Sequence, residues 1–186
     1  MKRLVDLVLA CICAAALLVP ILIVAVAVRL TSKGPILYWS SRVGRNNSIF
    51  AMPKFRSMLS DTPAVATHLL PNPDSHLTVI GSFLRKSSLD ELPQLWSIIR
   101  GDMSFVGPRP ALFNQFDLIE LRTRKGVHKL LPGLTGWAQV NGRDELPIPQ
   151  KVELDFEYLK RASFLFDVKI MALTIVKVIG RVNVTH

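Results

Sequence analysis

The sequence predicts an α+β, mainly helical fold with an apolar N-terminal membrane segment, a small β-hairpin and amphipathic helices suited to an interface. Three observations lead there. Residues 7–28 form an apolar run interrupted only by Pro20. Two strand-like stretches, Ile36-Leu37-Tyr38-Trp39 and Ser48-Ile49-Phe50-Ala51-Met52, flank the turn Gly44-Arg45-Asn46-Asn47, which is a hairpin pattern. Much of the remainder repeats apolar residues at helical spacing, ending in the run Phe164–Val182.

Bulk composition bounds the rest. With 186 residues, the chain has room for one domain plus a membrane segment. A mean hydropathy of +0.33 fits a chain partly in lipid. Lys and Arg number 23 against 14 Asp and Glu, a net charge of +9. That excess suits anionic lipid head groups, phosphate-bearing substrates or nucleic acid, without choosing among them. Cys11 and Cys13, the two cysteines, lack the second ligand pair of a zinc site and are expected as buried free thiols.

At ~1.5 Å per residue, the 22 residues of the apolar run are long enough to cross ~30 Å of hydrocarbon. Its length, and the lack of a small-residue cleavage site after it, argue against a cleavable signal peptide. Lys2 and Arg3 precede the run, and Arg29, Lys33, Arg42 and Arg45 follow it. Positive residues favour the cytoplasmic side, and here both flanks are positive. A helix that bends at Pro20 and returns to the same face satisfies both ends, because proline removes a donor and clashes with the preceding turn. A straight spanning helix also tolerates a proline. On the residues alone both readings stand. Lys2, Arg3 and Asp6 fall within about one turn and are expected as a small charged cluster at the membrane boundary.

Thr31-Ser32-Lys33-Gly34-Pro35 ends the apolar segment. The hairpin follows, continued by Lys54-Phe55-Arg56-Ser57-Met58, and Pro63, Pro71 and Pro73 mark a surface loop. Helical patterning returns over residues 79–84, 89–99, 112–125 and 152–160. In the last helix Lys169, Lys177 and Arg181 fall within roughly one third of the circumference at ~100° per residue. Such a helix can lie in the interface with its apolar face in lipid and its basic side chains at the phosphates. An ordinary core helix has the same pattern, and the N-terminal anchor tips the balance towards the interface.

Asp90 and Glu91 are the residues with the most chemical promise. As neighbours they point ~100° apart on a helix and do not share one proton. Division of labour follows: one carboxylate attacks phosphorus while the other holds a hard divalent cation. Against this, the Ser88-to-Glu91 spacing is also that of an ordinary capping box. Ser87 or Ser88 would cap a helix whose N-terminus favours anions. Arg85, Lys86, Arg109 and Arg143 are candidate phosphate-binding residues by virtue of cationic side chains. Arg109 stands out because Gly107-Pro108-Arg109-Pro110 forms a rigid turn around it. Gly133, Gly136 and Gly142 allow close approach of a ligand. His68, His76, His128 and His186 show no metal-ligand spacing, and no dinucleotide-binding glycine fingerprint occurs.

Ordered blocks along nearly the whole chain resemble the bacterial sugar transferase family, the monotopic phosphoglycosyl transferases. They begin with Lys2-Arg3-Leu4-Val5-Asp6, Ser32-Lys33-Gly34-Pro35, Arg42-Val43-Gly44 and Lys54-Phe55-Arg56-Ser57-Met58. Ser88-Leu89-Asp90-Glu91-Leu92-Pro93-Gln94-Leu95, residues 101–110 and residues 132–143 continue the match, and Ser163-Phe164-Leu165-Phe166-Asp167-Val168-Lys169-Ile170 closes it. The resemblance implies a re-entrant membrane helix over residues 1–30, hinged at Pro20, and a membrane-associated catalytic domain over residues 31–186. It places the protein on the cytoplasmic face of the bacterial inner membrane.

The implied activity is transfer of a sugar-1-phosphate from a UDP-sugar to a polyprenyl phosphate, usually undecaprenyl phosphate, with release of UMP. This would be the first membrane step of polysaccharide assembly. By matching position, Asp90 is the nucleophile that forms a covalent phospho-sugar, Glu91 binds magnesium, and Arg85 and Arg109 hold phosphate. Departures at Ser40, Ser97 and Leu131 bear on sugar choice and phosphate contacts, not on reaction type. Two other functions compete. A non-catalytic membrane-anchored scaffold would recruit downstream enzymes. A basic nucleic-acid-binding module would need clustered Lys and Arg with interleaved aromatics, and these are spread along the chain, so no nucleic acid is expected. Self-association as a homo-oligomer is left open.

Overall fold

The computed structural model describes residues 1–63, 65, 70–142 and 146–182, the last four by backbone only. The apolar run divides into α1 (Lys2–Ala16) and α2 (Leu18–Thr31), bent by 62°. The break falls at Leu17 (φ −95°, ψ 7°), not at Pro20 as expected. Pro20 has no N–H to give the Ala16 carbonyl four residues back, and its ring pushes that carbonyl away, so the strain appears one turn earlier. No single described helix is long and apolar enough to cross a membrane; the bent pair passes that test together.

Both helices rest on the domain by a narrow stripe. Ala10 packs with Met52, Leu95, Ile98 and Met103, and Val24 and Val28 pack with Phe55 and Leu84. Leu4, Val8, Ile12, Val19, Leu22, Ile23 and Val26 stay exposed. Cys11 and Cys13 are free thiols, but Cys11 is exposed rather than buried, on the outer side of the same helix. The expected cluster of Lys2, Arg3 and Asp6 does not form as a unit. Lys2 pairs with Asp167, Arg3 donates to the carbonyls of Ile98 and Ile99, and Asp6 accepts from the Phe105 amide at 3.2 Å. Each satisfies a different partner on the domain, so the three charges fasten α1 rather than one another.

The hairpin is β1 (Leu37–Val43) and β2 (Ile49–Phe55), antiparallel from Leu37↔Phe55 to Val43↔Ile49. Asn46 and Asn47 turn it at φ 55° and 59°, a left-handed region asparagine tolerates. After α3 (Gly81–Ser87) comes a 3-10 turn, Leu89–Gln94, then α4 (Leu95–Arg100) and β3 (Ser104–Val106). The expected single helix over 89–99 is therefore split. Pro93 cannot donate to the Leu89 carbonyl, which removes an α-helical bond and leaves the tighter turn.

Next in order are α5 (Phe116–Arg124), β4 (Gly133–Thr135), α6 (Trp137–Asn141), α7 (Ile148–Arg161) and α8 (Phe164–Val182). β3 and β4 pair in parallel, Ser104↔Gly133 and Val106↔Thr135, a pairing three residues long that nothing local in the sequence announces. It brings the turn at Gly107 against the loop at Gly133–Gly136. A Cβ at Gly133 would lie 2.1 Å from the Gly107 nitrogen, and one at Gly136 2.1 Å from its carbonyl oxygen. Only glycine permits that contact.

Helix α8 keeps an exposed apolar face but departs from expectation in its basic residues. It buries Phe166 and Ile170 and exposes Phe164, Leu165, Val168, Ile175 and Val176. Lys177 donates to the Val140 carbonyl and Lys169 lies 5.9 Å from the Trp137 ring, so both turn towards the domain. Arg181 lies where only the backbone is described.

A buried ion pair braces the far side. Arg122 on α5 donates to Asp155 Oδ2 on α7 through Nε at 2.9 Å and Nη2 at 2.6 Å, and through Nη1 to the Arg109 carbonyl at 2.8 Å. The two side chains are 9% and 1% exposed, so removing one strands a desolvated charge. Asp155→Ala is expected to cost about 3–5 kcal/mol, read as a lowered thermal unfolding midpoint in detergent. An unchanged midpoint would show that water compensates the arginine.

Candidate active site

Asp90 opens a recessed turn because the chain changes direction just before it. Ser88 ends α3 in a left-handed conformation (φ 59°, ψ 16°) without a side-chain cap. The capping box that the Ser88-to-Glu91 spacing offered as an alternative does not form: the Glu91 amide donates to the Ser88 carbonyl at 3.1 Å, with no side-chain cap. Ser87 Oγ bonds back to the Phe83 carbonyl at 2.7 Å. At three residues per turn, Asp90 and Glu91 diverge by about 120°, so one stem presents two carboxylates to different surroundings.

Glu91 is held by cations. Its Oε1 accepts from Lys54 Nζ and from Arg109 Nη2, each at 2.8 Å. Burial pushes its acidity down, but the charges of Arg109 and Lys54, with their hydrogen bonds, outweigh this and keep the carboxyl well below the usual glutamate range. Asp90 is 7% exposed, with Lys54 Nζ 3.9 Å from Oδ2. Burial dominates there and raises its pKa; Lys54, Arg85 and Arg109 oppose the shift, while Glu91 adds to it. The neighbours thus part: Glu91 is a fixed anion, and Asp90 a more basic, poorly solvated one.

Both carboxylates line a cleft of about 930 Å³ together with Arg85, Arg109, Arg42 and Lys54, a size usual for small-molecule sites. The residues expected to act together therefore meet, with Arg85 also contacting Met58 Sδ at 3.4 Å. Arg143 lies outside the described residues, as does His68. Pro20, Lys2, Arg3 and Asp6 do not line the cleft. Lys54 was not expected. Its neighbours give no sign, since a lysine in a strand is usually solvated; its two-residue step from Arg56, just past the end of β2, was the available clue. Gln139 was also missed: it lines the cleft, and both of its buried amide atoms lack a partner. Of the departures from the family pattern, Ser40 accepts from Arg42 Nε at 3.0 Å, and the Ser97 hydroxyl is buried without a partner.

Among the described residues no three His, Cys, Asp or Glu side chains gather to hold a metal. An ion such as magnesium asks less: one or two carboxylates, with water and phosphate oxygens completing its shell. With both cationic donors on Glu91 Oε1, its second oxygen suits that role, so the donor set fits.

Comparison with known proteins places the chain in a family. Residues 1–181 match the family described as bacterial sugar transferase. EpsL of Bacillus subtilis (strain 168), described as an uncharacterized sugar transferase, is 40% identical over 181 residues, covering 96% of this chain and 87% of that protein. The UDP-glucose:undecaprenyl-phosphate glucose-1-phosphate transferase of Xanthomonas campestris pv. campestris is 39% identical over 188 residues, covering 97% of this chain and 39% of the relative. The Escherichia coli (strain K12) protein of the same description is 41% identical over 193 residues, with 98% and 40% covered. The chain thus spans less than half of these two relatives. Similarity of this depth, running through the carboxylate turn and the helices on either side of it, means that the chain belongs to the bacterial sugar transferase family.

Proposed function

We propose that the protein transfers a sugar-1-phosphate from a UDP-sugar to undecaprenyl phosphate or a related polyprenyl phosphate, in two steps through Asp90. An Asp90 oxygen attacks the sugar-bearing phosphorus, an O–P bond forms, and the bond to the uridine phosphate breaks as UMP leaves with the electron pair. The acceptor phosphate then attacks the same phosphorus and returns Asp90 to a free carboxylate, so the kinetics are ping-pong. Arg85 and Arg109 hold the donor phosphates. Glu91 is the residue to hold a magnesium ion, which when bound neutralises diphosphate charge.

The observation that carries this reading is the contrast between the two carboxylates. A buried Asp90 with a raised pKa sits among three cations, beside a Glu91 that Lys54 and Arg109 already compensate. The activities by which relatives similar over nearly the whole chain are named support it. The bent α1–α2 pair and the exposed apolar faces of α1, α2 and α8 support a re-entrant anchor in the cytoplasmic leaflet of the bacterial inner membrane.

The test is UMP release across a panel of UDP-sugars, with magnesium and undecaprenyl phosphate. Release with at least one donor, dependent on the acceptor for turnover, is expected; none with any donor would end the proposal. A pH profile follows from the same chemistry. Because Asp90 must be ionised to attack and its pKa is raised, activity should fall on the acid side at a higher pH than an ordinary aspartate gives. Lys54→Met removes the charge that most opposes this shift, so its acid limb should move to still higher pH. A limb that stays in place would detach it from Asp90.

A further inference from the structure

Arg56 is a buried cation without a carboxylate partner among the described residues. It is 4% exposed, and Nη2 donates to Ser32 O at 2.9 Å and Ser32 Oγ at 2.7 Å. Its Nε and Nη1 are buried and have no partner. Among the described residues no carboxylate pairs with it. An arginine cannot escape by losing its proton, and a desolvated charge without a counter-ion is costly. The group is suited to meet an anion that the described residues do not supply.

The surroundings define where that anion sits. The Arg56 amide donates to the Ile36 carbonyl at 3.0 Å, so the chain is still paired two residues past Lys54. Side chains two apart on extended backbone leave the same face, and both Lys54 and Arg56 line the cleft. Arg56 Nη1 and Ser60 Oγ lie 2.3 Å and 3.3 Å from where a Cβ of Gly34 would stand, and Gly34 holds φ +110°. Glycine lets the guanidinium lie directly against the backbone, with the Ser60 hydroxyl beside it. Thr62 also lines the cleft, and its hydroxyl is buried without a partner. Ser32, which Arg56 grips, is the C-cap of α2, where the apolar segment ends. One cleft therefore has two cationic regions: Lys54, Arg85 and Arg109 at the carboxylates, and Arg56 beside the exit of the apolar helix.

We propose that Arg56, Ser60 and Thr62 bind the phosphate monoester of the lipid-borne acceptor, leaving Arg85 and Arg109 to the donor diphosphate. The assignment rests on the transferase reading above. A phosphate at the head of a polyprenyl chain stays at the bilayer surface, the level at which α2 emerges, whereas a water-borne nucleotide has no reason to favour that end. Arg56 holds acceptor oxygens other than the one that attacks. That oxygen forms the new P–O–P linkage while the Asp90 O–P bond breaks, its electron pair returning to the carboxylate. Phospholipid head groups carry related phosphate chemistry, and the experiment separates the two sources.

Arg56→Lys and Thr62→Val should be assayed in both half-reactions, using the active UDP-sugar and undecaprenyl phosphate. One series uses detergent free of phospholipid and the other phospholipid vesicles. The UMP burst from donor alone should be unchanged. The KM for undecaprenyl phosphate should rise about tenfold in Arg56→Lys, in both media, because one ammonium cannot serve Ser32 and the pocket together. Thr62→Val, which keeps shape and loses only a hydroxyl, should show a smaller rise of the same kind. A burst that falls in step with transfer in both variants would make the pocket structural or donor-binding. A KM effect confined to vesicles would make a phospholipid the occupant. No UMP release from the wild type would sink the transferase reading, and this assignment with it.

Discussion

Asp90→Asn is expected to lower turnover on the order of 10⁴-fold and to abolish the covalent phospho-sugar seen by intact mass when enzyme meets its donor. The amide keeps the size of the side chain but has no anionic oxygen to attack phosphorus. The fold should survive, because the ion-pair partner of Asp90 is Lys54 at 3.9 Å, too long for a strong bond, and burial already works against its charge. Thermal unfolding and membrane attachment should therefore match the wild type. An adduct that still forms would move the nucleophile elsewhere. Glu91 would be the weaker choice, since its Oε1 is covered by two donors and its carboxyl is held at low pKa.

Arg109→Ala should cost roughly 10²–10³-fold in kcat/KM for the donor. The side chain is one-third exposed on the cleft side, so it reaches a ligand as well as Glu91. Its backbone is fixed from behind by Arg122 at 2.8 Å and, through the Gly107 turn, by the β3–β4 pairing. That preorganisation is what makes a fixed cation worth more than a solvated one. Arg109→Lys should recover only part of the loss, since an ammonium lacks the planar fork. If Arg109→Ala changed turnover little, the arginine would serve only to neutralise Glu91. Glu91→Gln in the same background would then restore nothing.

Local sequence carried much of this. The hairpin was legible because Asn46 and Asn47 supply the left-handed turn between two strand-like runs. The break in the apolar segment was legible through Pro20, although its position was not: the missing donor acts on Ala16, so the bend appears at Leu17. Helices α7 and α8 were close to their expected ranges. The basic stripe on α8 misled, because periodicity says which residues share a face but not what lies opposite it. Lys177 finds the Val140 carbonyl there. The Ser88–Glu91 capping box, the competing reading of that spacing, fails for a related reason: a spacing offers a local bond, and two distant cations offered Glu91 a stronger one.

The sequence by itself determined the apolar entry segment, the hairpin, the adjacent carboxylates and the arginine turn, because each depends on neighbours within a few residues. Only the tertiary structure decided what those carboxylates do. Lys54 lies 37 residues from Glu91 and Arg109 lies 18, and the field that separates Asp90 from Glu91 exists only where β2, the 3-10 turn and the Gly107 loop converge. Charge effects act through space over a few ångströms, and chain order carries no record of which distant groups come that close.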